Sequence, residues 1–118
     1  MAAREDKRAI LSVGQVNAYV KQLLESNKIL SSIYVRGEIS NFTDHYTGHL
    51  YFSLKDENGV IPAIMFRSSA EKLKFLPENG MKVIVHGKLT VFIKSGQYQI
   101  NVDHLEPDGV GGLYIAFE

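Results

Sequence analysis

Apolar residues recur at helical spacing near the start of the chain. Val13, Val16, Val20, Leu23 and Leu24 make one stripe, with Asn17, Lys21 and Glu25 on the other side. Ser12 and Gln15 stand at capping-box spacing, where hydroxyl and amide satisfy two free backbone N–H groups reciprocally. A helix is therefore expected from Ser12 to about Ser26-Asn27, packed on another element by its apolar stripe. From Ile33 the period changes to two. Ile33, Val35, Gly37 and Ile39 alternate with Tyr34, Arg36, Glu38 and Ser40, as in a half-buried strand. After the polar stretch 43–48, Leu50, Phe52 and Leu54 alternate with His49, Tyr51, Ser53 and Lys55. Asp56-Glu57-Asn58-Gly59 reads as a hairpin connection.

Residues 60–66 are apolar on both faces, which fits a strand covered on both sides or one whose outer face binds something. Pro62 cannot donate to a ladder, so it belongs at an edge or a bulge. Ser68 and Glu71 form a second capping-box signature and start a short helix through about Leu76, before Pro77. Glu78-Asn79-Gly80 turns the chain into a long strand whose Met81, Val83, Val85, Leu89 and Val91 share a face, with Gly87 allowing a bend. Lys94-Ser95-Gly96 closes a hairpin, and Tyr98, Ile100 and Val102 alternate with Gln97, Gln99, Asn101 and Asp103 in the last strand.

The order is helix, three strands, short helix, two strands. It predicts a mainly β protein: a five-stranded OB-fold Greek-key barrel with an N-terminal helix and a short helix between strands 3 and 4. An SH3-like barrel also has five strands but usually lacks a helix at that point. The expected organisation is a flexible arm over 1–10, the barrel with its helix over 11–106, and a breaker-rich linker over 107–118. Leu113, Ala116 and Phe117 begin a helical pattern that stops within two turns, so the chain reads as an N-terminal domain cut from something longer.

Composition narrows the function classes. With 118 residues, the chain suits one hydrophobic core. The lack of cysteine excludes a disulfide framework, a zinc finger and a thiol nucleophile. The start is polar and no window approaches the ~18 apolar residues of a membrane span, which points to an intracellular, cytoplasmic protein without a membrane partner. Thirteen basic and thirteen acidic residues give zero net charge, but unevenly placed. Residues 1–30 sum to +2, 31–59 to −2, 60–97 to +4 and 98–118 to −4. A basic segment over strands three and four is enough to guide phosphates if its charges share a face.

An OB barrel holds a nucleic-acid strand on the outer face of strands two and three and on the loops after strands one and four. Here those positions carry Arg36, His49, Tyr51, Ser53 and Lys55, with Phe42 opening the first loop, Phe92 and Lys94 at the second, and Arg67 ending strand three. Aromatic rings for stacking beside cations for phosphates suit single strands. The competing reading is a set of barrel-end covers and solvated cations. His45 and His49 are four apart, a metal-binding spacing only on a helix, and this stretch is loop and strand. Lys55-Asp56-Glu57 reads as a turn rather than a nuclease cluster, and Ser12, Ser68 and Ser69 have no His/Asp partner in view. No catalytic residue, metal or cofactor is expected.

Residues 35–42 (VRGEISNF), 48–56 (GHLYFSLKD), 63–67 (AIMFR), 77–80 (PENG), 96–99 (GQYQ) and 106–109 (EPDG) together resemble the N-terminal domain of the exodeoxyribonuclease VII large subunit family. The resemblance covers nearly the whole chain. It implies a bacterial cytoplasmic enzyme that degrades single-stranded DNA from both ends into oligonucleotides, together with several small subunits. In that family this segment is the OB-fold that binds single-stranded DNA; hydrolysis and small-subunit binding belong to later regions. By position, Arg36, Asn41, Phe42, His49, Tyr51, Lys55 and Arg67 would line the DNA path. Pro62 stands where many members have arginine, and Lys94 is the cation of a loop that differs from the usual one. The residues by themselves also allow an anticodon-type RNA-binding barrel or a protein-interaction barrel, and leave self-association open.

Overall fold

The computed structural model describes residues 8–108. Helix α1 spans Val13–Ser26, and strands β1 (Ile33–Asp44), β2 (Leu50–Lys55) and β3 (Val60–Met65) follow. A four-residue helix α2 (Arg67–Ala70) leads to β4 (Lys82–Phe92) and β5 (Gln97–Pro107). The strands close into a barrel in the order β1-β2-β3-β5-β4. This is the expected five-stranded architecture with the helix between strands 3 and 4. Most of the first ten residues and the helical pattern at Leu113, Ala116 and Phe117 lie outside the described residues.

Closure depends on the length of β1. Its first half, Ile33 to Glu38, pairs antiparallel with β4, and its second half, Glu38 to Asp44, pairs with β2. Between the pairs at Ser40 and Thr43 the register shifts, and Asn41 takes the left-handed φ of 52° that the bulge requires. The Asn79 side-chain carbonyl accepts from the Phe42 N–H at 2.9 Å, so the turn before β4 braces this bulge. The barrel is sealed by a short parallel contact of Ala63 and Ile64 with Ile100 and Asn101. Pro62 stands opposite Ser53 of β2, one residue outside that contact.

Ile39, Phe52, Leu54, Val83, Val85 and Ile100 are among the buried residues, and each was on an expected inward face. A register shift between His86 and Gly87 bends β4 where the glycine was expected to allow it.

Three local expectations are corrected. The Ser12–Gln15 capping box is present, but α1 buries only the Leu24 edge of its stripe. Asn17, Lys21 and Leu24 are its partly buried residues, while Val13, Val16, Val20 and Leu23 are exposed. Polar anchors override the stripe: the Thr90 hydroxyl donates to the Glu25 carboxylate at 2.6 Å, and the Asn17 amide donates to the Ile93 carbonyl at 2.8 Å. Second, the Ser68–Glu71 capping box does not form. Helix α2 starts after Phe66 without a side-chain cap, because Glu71 turns back to Arg67 at 2.9 Å. It ends at Ala70, and beyond it Leu73 and Phe75 pack against the core. Third, Tyr98 is exposed and borders a cleft with Val35, Arg36 and Leu54, although it shares the parity of Ile100 and Val102.

Candidate nucleic-acid interface

The pairing registers lay one row of outward side chains across the barrel. Tyr51 on β2 stands opposite Ile64 on β3, Ile64 opposite Asn101 on β5, and Asn101 opposite Lys88 on β4. One pleat further along, Thr90 on β4 faces Gln99 on β5, and Phe92 faces Gln97. At a strand spacing of about 4.8 Å, Tyr51 and Asn101 are roughly 10 Å apart over a floor made by buried Ile64.

This face deepens into a groove lined by Lys21, Phe66, Thr90, Phe92, Lys94, Gln99 and Asn101. Helix α1 contributes one wall through Lys21. The β4–β5 hairpin contributes Lys94, on a turn where the Ser95 and Gly96 N–H groups donate to the Phe92 carbonyl. Gly96 turns at φ 71° against the Asn17 side chain. Across the groove, Phe66 is exposed and meets the His49 ring edge-on at 5.3 Å. The Gln99 amide donates to the Asn101 side-chain oxygen at 3.4 Å.

The β1–β2 loop, 45–49, extends the aromatic surface. Tyr51 is 38% exposed, with the His45 ring edge-on at 5.7 Å and Tyr46 beside His45 at 4.4 Å. His45 Nδ1 lies 2.8 Å from the Thr47 hydroxyl. His49 Nδ1 accepts the Arg67 N–H at 2.9 Å, which leaves the neutral ring carrying its proton on Nε2. Both histidines shape the loop instead of forming a ligand pair, and no group of three or more His, Cys, Asp or Glu able to hold a metal occurs among the described residues.

The nine expected site residues do not form one surface. Phe92 and Lys94 line the groove, while Tyr51 and His49 sit on its aromatic side. Lys55 lies on the same face as Tyr51 but about 13 Å further along β2, in a second cleft with Arg36, Lys82 and Asp108. Arg36 is 74% exposed, yet its Nε is bonded to the Asp108 carboxylate at 2.7 Å, so its charge is already partnered. Arg67 points away from the groove into a cleft with Asp44, Gly48 and Glu71, and the Glu71 hydrogen bond and charge raise its pKa. Asn41 holds the bulge. Phe42 does not open a loop: it lies within β1, half-buried against the core, 6.5 Å from Phe52.

The basic segment is also dispersed. Lys72 and Lys74 border a cleft with Asp103 and Glu106, Lys82 stands beside Asp108, and Arg67 pairs with Glu71. The groove itself holds Lys94 and Lys21, the latter paired with Glu25 at 3.2 Å. Lys21, Phe66, Gln99 and Asn101 were not anticipated as site residues. The signal for Gln99 and Asn101 was present, since both stand at outward parity in the last strand; Lys21 and Phe66 depend on packing that parity does not show.

A separate hydrogen-bond chain joins Ser32 Oγ to His86 Nε2 at 2.9 Å and His86 Nδ1 to Asp103 at 2.7 Å, with the Tyr34 ring 4.8 Å from His86. The Ser32 N–H is turned onto the Ile29 carbonyl instead of towards an oxyanion site. The chain ties the α1–β1 connection to the β4–β5 bulge.

The class follows from barrel and groove together: residues 11–106 match the family model of the OB-fold nucleic acid binding domain, and the chain belongs to that family. Within it, the chain is 55% identical over 109 residues to the exodeoxyribonuclease 7 large subunit of Ruminiclostridium cellulolyticum and 57% identical to that of Clostridium acetobutylicum. Each comparison covers 92% of this chain and 27% of the relative, so the chain spans about a quarter of the length of these curated relatives. Among solved structures, it is similar to a replication protein A heterotrimer bound to single-stranded DNA. That match has a TM-score of 0.56 at 20% identity, covering 74% of this chain and 65% of the other. Entamoeba histolytica asparaginyl-tRNA synthetase gives a TM-score of 0.58 at 14% identity, covering 71% and 22%. At those identities the likeness is one of fold.

Proposed function

We propose that this chain is the single-stranded-DNA-binding domain of a bacterial, cytoplasmic exodeoxyribonuclease VII large subunit. The whole enzyme would degrade single-stranded DNA from both ends together with small subunits. The observation that carries this reading is the groove between α1 and the β4–β5 hairpin. Exposed Phe66, Phe92 and Tyr51 offer faces to unpaired bases, the Gln99 and Asn101 amides offer hydrogen bonds to base edges, and Lys21 and Lys94 stand where phosphates pass. The domain positions DNA and does not cut it. The relatives' names supply the nuclease, and the part of them beyond the matched quarter supplies room for its chemistry. No described helix is long and apolar enough to cross a membrane.

The test is fluorescence anisotropy of the chain with labelled unstructured oligonucleotides. Salt-sensitive binding with little sequence preference and no cleavage is expected. Phe66→Ala and Tyr51→Ala should each weaken binding by about 1–3 kcal/mol, roughly 5- to 150-fold, if they stack on bases. No binding at low salt, or RNA of defined sequence displacing DNA, would sink the reading in favour of a protein-interaction or anticodon-type barrel.

A further inference from the structure

Strands β3 and β5 pair through two residues each, Ala63 and Ile64 with Ile100 and Asn101. Pro62 has no N–H with which to carry that ladder towards the start of β3. Just beyond it, Ile61 of β3 and Tyr98 of β5 line a cleft with Val35, Leu54, Arg36 and Lys55. Its lining is largely aliphatic: Leu54 is buried and Val35 and Ile61 are half-buried, while the Tyr98 ring is 52% exposed. The two cations are not equivalent. Asp108 engages the Arg36 Nε, whereas Lys55 has no ion pair among the described residues. Asp56, which also borders the cleft, is turned onto its own hairpin, where it accepts from the Asn58 and Gly59 N–H groups at 2.8 and 2.9 Å.

We infer that this cleft is a further subsite for the DNA strand, holding one unpaired base against Tyr98 with its phosphate on Lys55. The inference rests on the reading of the groove as a single-strand path. An exposed ring, an aliphatic surface and an unpaired cation are the parts that sequence-tolerant binding of a nucleotide uses. The cleft volume, about 280 Å³, falls just below the ~300–1,000 Å³ of pockets for drug-sized molecules and suits one ring system. Two features join the cleft to the groove. Gln99, the residue after Tyr98, lines the groove, and so does Val91, the partner of Tyr98 on β4. On β2, Tyr51, Ser53 and Lys55 stand at one parity, so an outward row runs from the aromatic side of the groove to the edge of the cleft.

Anisotropy with a length series of labelled oligonucleotides separates this subsite from the groove. Tyr98→Ala should leave the shortest oligonucleotides that bind unaffected and weaken longer ones by about 5- to 150-fold, the range of one lost base stack. Phe66→Ala, in the groove, should weaken both. Tyr98→Phe should bind as the unaltered chain does, while Tyr98→Leu, which keeps apolar bulk without a ring, should share the deficit of alanine. Lys55→Gln should make the slope of log affinity against log salt shallower by about 0.7, and for the longer oligonucleotides only. A Tyr98→Ala deficit that is absent at every length, or equal at every length, would overturn the inference and leave the groove standing. So would full affinity in Tyr98→Leu. Absence of binding by the unaltered chain at low salt would instead sink the groove reading, and the subsite with it.

Discussion

Gly87→Ala tests the barrel at its tightest point. A Cβ built on Gly87 falls 2.1 Å from the Asn101 carbonyl oxygen, 2.9 Å from its carbonyl carbon and 3.1 Å from the Val102 Cα. All three are backbone atoms, so no side chain can swing aside. Gly87 is not among the residues of positive φ, so alanine is conformationally permitted and the conflict is steric. An approach of 2.1 Å is far inside ordinary van der Waals contact, so β4 and β5 must part at the bulge. Overpacking of this kind costs about 1–3 kcal/mol, and loosened ladder bonds beside it add about 1 kcal/mol. The smaller conformational freedom of unfolded alanine returns about 0.4–1 kcal/mol. The net expectation is a loss of about 2 kcal/mol, read as a lower urea midpoint at unchanged slope. It corresponds to roughly 8–16 °C in the thermal midpoint of a domain this size. A loss below about 0.5 kcal/mol, within the range of ordinary surface substitutions, would refute the close approach. DNA binding should weaken as well, because the same register sets Lys88 and Thr90 opposite Asn101 and Gln99.

Asp108→Asn should release Arg36 from its ion pair. With Arg36 free to meet a phosphate, the slope of log affinity against log salt should steepen by about 0.7 for single-stranded DNA. The affinity gain should stay within about fivefold, since an exposed pair is worth at most about 1 kcal/mol; an unchanged slope would show that Arg36 lies off the DNA path. Asn41→Ala should lower stability by about 1 kcal/mol through its left-handed φ, whereas Asn41→Gly should fall within a few tenths; equal urea midpoints for the two would contradict the bulge geometry. The Thr90 hydroxyl, and after it Lys21, holds the Glu25 carboxyl below its ordinary range. A depressed carboxyl contributes stability above its unfolded pKa and loses it as pH falls through the folded value. The urea-midpoint deficit of Thr90→Val should therefore be largest at neutral pH and narrow below about pH 4; a constant deficit would exclude the linkage.

The barrel was legible because a strand's side chains alternate with a fixed period, so the face of Ile39, Phe52 or Val83 follows once one inward residue is known. Turn chemistry was legible for a similar reason: it is local. The Asp56 carboxylate accepts from the Asn58 and Gly59 N–H groups within its own hairpin, and Gly80 turns at φ 88° before β4. The site was harder because its charges are decided by partners far along the chain. Arg36 meets Asp108 across 72 positions, and no neighbouring residue announces that pairing. Phe42 reads as a loop aromatic until the bulge at Asn41 and the Asn79 brace carry β1 on to Asp44. Outward parity marked Gln99 and Asn101 as available, but only the crossing of α1 past β4 makes them the floor of a groove instead of a solvated strand.

Helix α1 shows why an apolar stripe and a buried face are different propositions. Periodicity states which residues share a side, and Val13, Val16, Val20 and Leu23 do share one. Which side meets the barrel is settled by the surface on offer. β4 and the turn after it present Thr90 and the Ile93 carbonyl, groups that need polar partners when covered. Glu25 and Asn17 supply them, so rotating the helix to bury its valines would leave the buried Thr90 hydroxyl and the Ile93 carbonyl without these partners. The choice fixes two consequences at once. Lys21 is delivered to the groove as one of its two cations, and the valine seam is left outward without charge. A variant that replaces both anchors, Glu25→Leu with Thr90→Val, removes the reason for the present orientation. It should let α1 rotate, bury its stripe, draw Lys21 from the groove and weaken DNA binding, whereas unchanged DNA binding would show that these anchors do not set the orientation of α1.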